Sequence, residues 1–125
     1  SAFAKQIVAI EKGEQKILKH GNLKSVRTFM DIDDAMNAYW LCAKKGKIGQ
    51  IYNIGGKYVI SVKDFLKLLI MFSKKKIKTK LDKKLLRKVD VTLQIPNVRK
   101  FKKDTGWKQK ISIKNSIEKI LNYYR

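Results

Sequence analysis

The sequence predicts a mixed α/β (α+β) domain of about five helices and four or five short strands. Three observations predict it. Apolar residues recur at helical spacing in several stretches. In others they alternate with polar residues over a few positions. Glycine, the single proline and Ser/Asp/Asn caps separate one kind from the other.

Residues 2–12 carry Phe3, Ile7, Val8 and Ile10 at helical spacing and stop near Gly13. Residues 17–20 read as a short strand before the turn Gly21-Asn22. Residues 26–32 alternate, with Val26, Thr28 and Met30 on one side and Arg27, Phe29 and Asp31 on the other. Asp33 or Asp34 then caps a helix from Ala35 to Lys45, closed by Gly46. Residues 50–54 are expected as a strand ending in the sharp turn Gly55-Gly56. Tyr58 to Ile60 is extended. Ser61 caps the next helix with Asp64 at the third helical position, and Phe65, Leu66, Leu69, Ile70 and Phe72 face the core. Residues 77–81 alternate with lysines, the pattern of a protected edge strand. Residues 90–95 read as a strand or an extended loop, stopped by Pro96. Asn97 caps a short helix to Thr105, Gly106-Trp107 turns, and Ser112 or Ser116 opens the last helix, residues 113–124.

No run approaches the roughly 18 apolar residues of a membrane-spanning helix, so no membrane partner is expected. The single cysteine, Cys42, leaves no internal disulfide and fits a reducing, cytoplasmic setting. No signal peptide is recognised. Residues 1–8 read as the inside of a helix, so the parent chain is expected to be longer on its N-terminal side. The net charge of +20 invites a nucleic-acid-binding module as a reading of another class. Against it, only Arg27, Arg87, Arg99 and Arg125 are arginines among 30 cations, and the lysines spread along the whole chain. Bidentate base and phosphate recognition favours arginine. A/T-rich codons, shared by Lys, Ile and Asn, account for much of the charge.

No glycine-rich dinucleotide fingerprint follows a strand, and no phosphate loop is present. One histidine and one cysteine exclude a zinc site of usual composition. Asp31, Asp33 and Asp34 form the only acidic cluster, and capping explains them more simply than a metal does. No complete catalytic set can be assembled.

Several islands stand in order: Ser-Ala-Phe-Ala-Lys-Gln-Ile-Val (1–8), Gly-Asn-Leu-x-Ser-Val-Arg-Thr-Phe-x-Asp (21–31), Asp34-Ala with Ala38-Tyr-Trp, Ile-Tyr-Asn-Ile-Gly-Gly (51–56), Leu-Arg-x-x-Asp-Val (86–91) and Thr-Gly-Trp (105–107). Together they resemble the C-terminal part of GDP-mannose 4,6-dehydratase and its sister GDP-4-keto-6-deoxy-mannose reductase. Both belong to the NAD-dependent epimerase/dehydratase branch of the extended short-chain dehydrogenase/reductase superfamily. The resemblance implies that residues 1–125 form a single nucleotide-sugar-binding domain, the small substrate domain. The Rossmann domain, with NADP and the catalytic Tyr-x-x-x-Lys pair, would lie before Ser1. It implies an enzyme for the parent, acting on GDP-mannose or a related GDP-sugar, in a homo-oligomer. The fragment alone would be inactive. Dehydratase, reductase and related epimerase remain open, because the residues that separate them lie upstream.

The same resemblance implies the site residues. Arg27 and Arg87 would hold the pyrophosphate, and Asp90 would accept from ribose hydroxyls. The alternation around Arg27 sends its side chain to one face; the alternative is an ion pair with Asp31 or Asp33. Lys88 stands where the family usually has proline, and Asp90 where glutamate is commoner. Asn22 would let the backbone approach the nucleotide, or simply make a turn. Lys19 and His20 would flank the guanine or ribose. Tyr39, Trp40 and Trp107 read as core or hinge packing rather than base-stacking platforms.

Overall fold

A computed structural model describes residues 1–125. Helix α1, Ala2–Lys12, presents Ala4, Ile7, Val8 and Ile10 to the interior and ends at Gly13. Gly13 adopts φ 83°, and its N–H closes on the carbonyls of Ala9 and Ile10. Only a residue without Cβ takes this left-handed cap at no steric cost. Strand β1, Leu18–His20, follows. Strand β2, Val26–Phe29, leads into helix α2, Ile32–Lys45. Strand β3, Tyr58–Ser61, leads into α3, Val62–Met71. Strand β4, Thr79–Leu81, a 3₁₀ turn, Lys83–Leu85, and strand β5, Leu93–Gln94, precede α4, Arg99–Thr105, and α5, Ile113–Tyr124. Five helices and five short strands match the predicted class.

The strands form two small sheets. β1 pairs parallel with β4, Leu18 opposite Thr79. β2 is central in the other, antiparallel to β3 with Arg27 opposite Ile60, and parallel to β5 with Arg27 opposite Gln94.

Two cores hold the layers. In the larger, α1, β1, α3 and α5 enclose nine buried residues, among them Ile7, Leu18, Leu69, Ile117 and Leu121. Each such side chain stabilises the fold by roughly 1.5–3 kcal/mol. The smaller core has three: Ala38 of α2, Phe101 of α4 and Trp107, with Tyr52 and Ile54 against them. Phe29 of β2 stacks on Phe65 of α3 at 4.1 Å, joining the larger sheet to the larger core.

Three expectations are corrected and one alternative is set aside. The α2 cap is Asp31, whose side chain accepts from the Asp33 N–H; Asp33 and Asp34 lie in the first turn. Asp34 is held instead by the N–H groups of Lys110 and Ile111, which tie α2 to the chain before α5. Residues 50–54 form no strand, because no neighbouring strand in this chain offers them a ladder. Tyr39 and Trp40 are exposed on the outer side of α2, whereas Trp107 is buried as expected. Arg27 pairs with neither Asp31 nor Asp33, which Lys119 of α5 engages.

Where the predictions were local, the chain follows them. Ser61 accepts from the Asp64 N–H and donates to the Asp64 carboxylate at 2.6 Å. Ser112, not Ser116, caps α5 by accepting from the Asn115 N–H. Asn97 accepts from the Arg99 N–H, but α4 starts one residue later than expected, with Val98 in the N-cap position.

Candidate functional site

Two turns and the central strand build one polar cluster. Asn22 sits in the turn before β2, where its side-chain oxygen accepts from the Lys24 N–H. Its amide then donates to the Asp90 carboxylate at 2.6 Å and to Ser25 Oγ at 3.1 Å. Ser25, itself buried, donates to the same Asp90 oxygen at 2.9 Å. The other Asp90 oxygen faces Arg27 Nη2 at 3.4 Å. Arg27 also donates to the carbonyls of Val26 and Val91. Residues far apart in sequence are thus drawn onto β2 by β5 pairing beside it.

The electrostatics follow from this packing. Hydrogen bonds from Asn22 and then Ser25 hold the Asp90 carboxyl below its ordinary range. Partial burial opposes them, and the charges of Arg27 and Arg87 add to them. Asp90 is therefore a fixed anion, and its role in this arrangement is to orient Arg27. Three of the five guanidinium N–H groups are used by Val26, Asp90 and Val91. The remaining donors are held in place by those bonds, with little rotamer freedom left to lose on meeting an anion.

Beside the cluster a cavity of about 490 Å³ opens, lined by Arg27, Thr28, Asn53, Ile54, Gln94, Ile95 and Pro96. Gly55 and Gly56 let the backbone close against Pro96 and Phe29, so this wall tolerates no Cβ. Arg87 lies exposed after the 3₁₀ turn, close enough for its charge to act on Asp90. Lys19 and His20 sit on β1, where the Lys19 backbone is bonded to Gln6 on both sides, and they are not among the cavity's lining residues. Ser25, Asn53 and Gln94 belong to the site by geometry and were not singled out from sequence. Ser25 lies within the Asn22–Arg27 island and was the one with a signal to find.

A second cavity of about 410 Å³ lies between the end of β2 and α5, lined by apolar side chains such as Phe29, Phe65, Ile113 and Tyr123. Its charged pair, Asp31 and Lys119, is already mutually satisfied. The Arg27 cavity has guanidinium donors that no group of this chain uses.

Residues 1–120 match the family model described as GDP-mannose 4,6 dehydratase. The chain belongs to that family. The GDP-6-deoxy-D-mannose reductase of Pseudomonas aeruginosa is 26% identical over 123 residues, covering 98% of this chain and 40% of that protein. The human dTDP-D-glucose 4,6-dehydratase is 28% identical over 127 residues, covering 96% of this chain and 35% of that protein. The solved structure of RMD from Pseudomonas aeruginosa complexed with NADPH superposes with TM-score 0.89 at 25% identity, over 98% of this chain and 41% of that one. A Bacillus cereus UDP-glucuronic acid 4-epimerase, in complex with UDP-glucuronic acid and NAD, superposes with TM-score 0.83 at 21% identity, over 99% of this chain and 39% of that one, and shares the fold. The chain thus spans about two fifths of the length of the relatives it matches. The fold is that of the C-terminal part of extended short-chain dehydrogenases/reductases.

Proposed function

We propose that this chain is the GDP-sugar-gripping portion of an NADP-dependent enzyme that converts GDP-mannose to GDP-4-keto-6-deoxy-mannose. The observation that carries the reading is the pre-set guanidinium of Arg27 at the cavity wall, held by Asp90 and two carbonyls. A diphosphate carries about two negative charges and is best met by oriented guanidinium donors. Arg27 supplies the fixed donor and exposed Arg87 the mobile one. Asp90 keeps Arg27 aimed and offers its outer oxygen to a ribose hydroxyl. Asn22 holds Asp90 from below. Lys19 and His20 remain as flanking contacts for the base.

The residues present do not fit the nicotinamide cofactor. Gly21, Gly46, Gly55 and Gly56 are closed against Leu85, Cys42, Pro96 and Phe29, and Gly13, Gly49 and Gly106 are positive-φ turns. None opens a helix after a strand as a dinucleotide cradle requires. A separate dinucleotide-binding part, of the kind that lies before residue 1 in the family, would hold NADP and the groups that move hydride and protons. A second reading has support of its own. The matched Pseudomonas protein is a reductase, so this chain would grip the 4-keto product of dehydration with the same residues.

The test is an NMR or calorimetric titration of the chain with GDP and GDP-mannose. Binding is expected to be weak, because one wall of the site belongs to the other part. Arg27→Ala should weaken it about 10- to 100-fold, the loss of roughly 1.5–3 kcal/mol expected for a charge-assisted pair. Unchanged affinity would reject the diphosphate assignment. The chain supplied with NADP and GDP-mannose should show no turnover.

A further inference from the structure

Strand β4 meets its partner along one edge. The Lys78 carbonyl accepts from the Leu18 N–H of β1, and the Asp82 N–H donates to the His20 carbonyl. Successive residues of a strand turn their N–H and C=O groups to opposite edges. Thr79 and Leu81 therefore direct theirs away from β1, and no strand stands on that side. All three residues of β4 are exposed, Leu81 by 49%. A sheet of two strands is marginal, and a third would complete it.

The side chains of this edge are sorted by face. Lys78 and Lys80 alternate with Thr79 and Leu81, so charge lies on one side of the strand and apolar surface on the other. Lys80 stands opposite Lys19 of β1, like charge against like charge. None of the ion pairs of the chain involves these three lysines. Between Ser73 and Val89 there are nine cations and one acid, Asp82, whose carboxylate already accepts from the Lys84 N–H. The edge thus offers open main-chain groups beside positive charge that nothing in the chain meets.

We infer that β4 is a docking edge for an extended segment of a partner protein in which acidic and aliphatic residues alternate. Strand addition satisfies the open edge through main-chain bonds. Acids of the added strand face Lys78 and Lys80, and its aliphatic residues lie beside Thr79 and Leu81. A second copy of this chain is refused, because β4 against β4 sets lysine against lysine. A nucleic acid is disfavoured: no aromatic residue lies between Ser73 and Lys100 to stack a base. A lipid surface is disfavoured too, since the lysines and the apolar side chains point to opposite sides of the strand and cannot meet one plane together.

The test uses the full chain and three octapeptides. One alternates glutamate with valine, one alternates lysine with valine, and one is the glutamate–valine peptide N-methylated throughout, with the same side chains and no backbone N–H. The glutamate–valine peptide should bind at least about 10-fold more tightly than either of the others, the gain of a few exposed charge pairs and main-chain bonds. Saturation should slow exchange of the Thr79 and Leu81 amides at least about 10-fold. Lys78→Glu with Lys80→Glu should invert the preference toward the lysine–valine peptide. Neither residue lines the Arg27 cavity, so affinity for GDP should not move, and failure of the diphosphate assignment leaves this readout standing. Equal binding of the N-methylated peptide overturns the inference, as does binding that leaves Thr79 and Leu81 unprotected. Oligouridine or phosphatidylglycerol vesicles that displace the peptide and cover the same edge overturn it as well. Should the double variant not fold, the three peptides and the exchange of the unaltered chain decide.

Discussion

Around α1, nine buried residues from four elements close on one another, and the outer faces of those helices are mostly lysine and polar. Around α2, only Ala38, Phe101 and Trp107 are buried, and the opposite side of the same helix carries aromatic and aliphatic side chains into solvent. Both regions are helical. They differ in whether this chain contains every surface they need. The larger core is self-sufficient. The smaller is held largely by polar ties: Trp107 Nε1 to the Asp34 carbonyl at 3.2 Å, Asp34 to Lys110 and Ile111, and Tyr52 to Asp104. Stability within one chain is therefore expected to be uneven.

The largest expected effect breaks the comparison directly. Phe101→Ala should cost about 3–5 kcal/mol, but its damage should stay in α2, α4 and residues 50–56. Leu69→Ala should cost about 2–5 kcal/mol and melt the whole chain together. Hydrogen exchange followed residue by residue distinguishes them; equal loss everywhere in both variants would show a single cooperative unit.

An intermediate effect lies at the rim of the larger core. Hydrogen bonds from Arg125 lower the Glu11 carboxyl from 4.5 to about 2, against the opposing effect of burial and with help from the Lys74 N–H. A carboxyl depressed in the folded state stabilises fully above its unfolded value and loses that contribution as pH falls toward the folded one. The pair should thus contribute on the order of 2 kcal/mol at neutral pH and fade between about pH 4.5 and 2. Glu11→Gln should lower the melting temperature at pH 7 and flatten its fall over that window. An unchanged acid limb would rule out this pair as the sensor.

The smallest effect sharpens the comparison by its absence. Trp40→Ala, removing the largest side chain on the outer face of α2, should change the stability of the isolated chain by no more than about 0.5 kcal/mol. A core-sized loss on thermal melting would mean that the outer face is packed within this chain after all.

What could be read from the residues depended on how far apart the partners are. The helices around Ile7, Leu69 and Leu121, the cap at Ser61 and the cap at Ser112 are local patterns, and they were legible. Three aspartates within four residues left the α2 cap ambiguous, and only the fold, by binding Asp34 to Lys110 and Ile111, assigns it to Asp31. Residues 50–54 have the composition of a strand, but a ladder needs a neighbour that composition does not reveal. Tyr39 and Trp40 carry an apolar signal that says they will be covered without saying by what. At the site, Arg27, Asp90 and Asn22 were found through their resemblance to a family, and the structure brings those three together. Gln94 became visible only once β5 lay beside β2, whereas Ser25 stood within the Asn22–Arg27 island.

The packing of α1 on α5 has a consequence for synthesis. Ile7 and Val8 are made long before Ile117 and Leu121, which close over the same core. Glu11 likewise waits for Arg125. A ribosome adding about 5–20 residues per second would leave the first helix without its final partner for several seconds. The larger core therefore closes only after α5 has been made, and of the elements that build it α1 waits longest for its last partner.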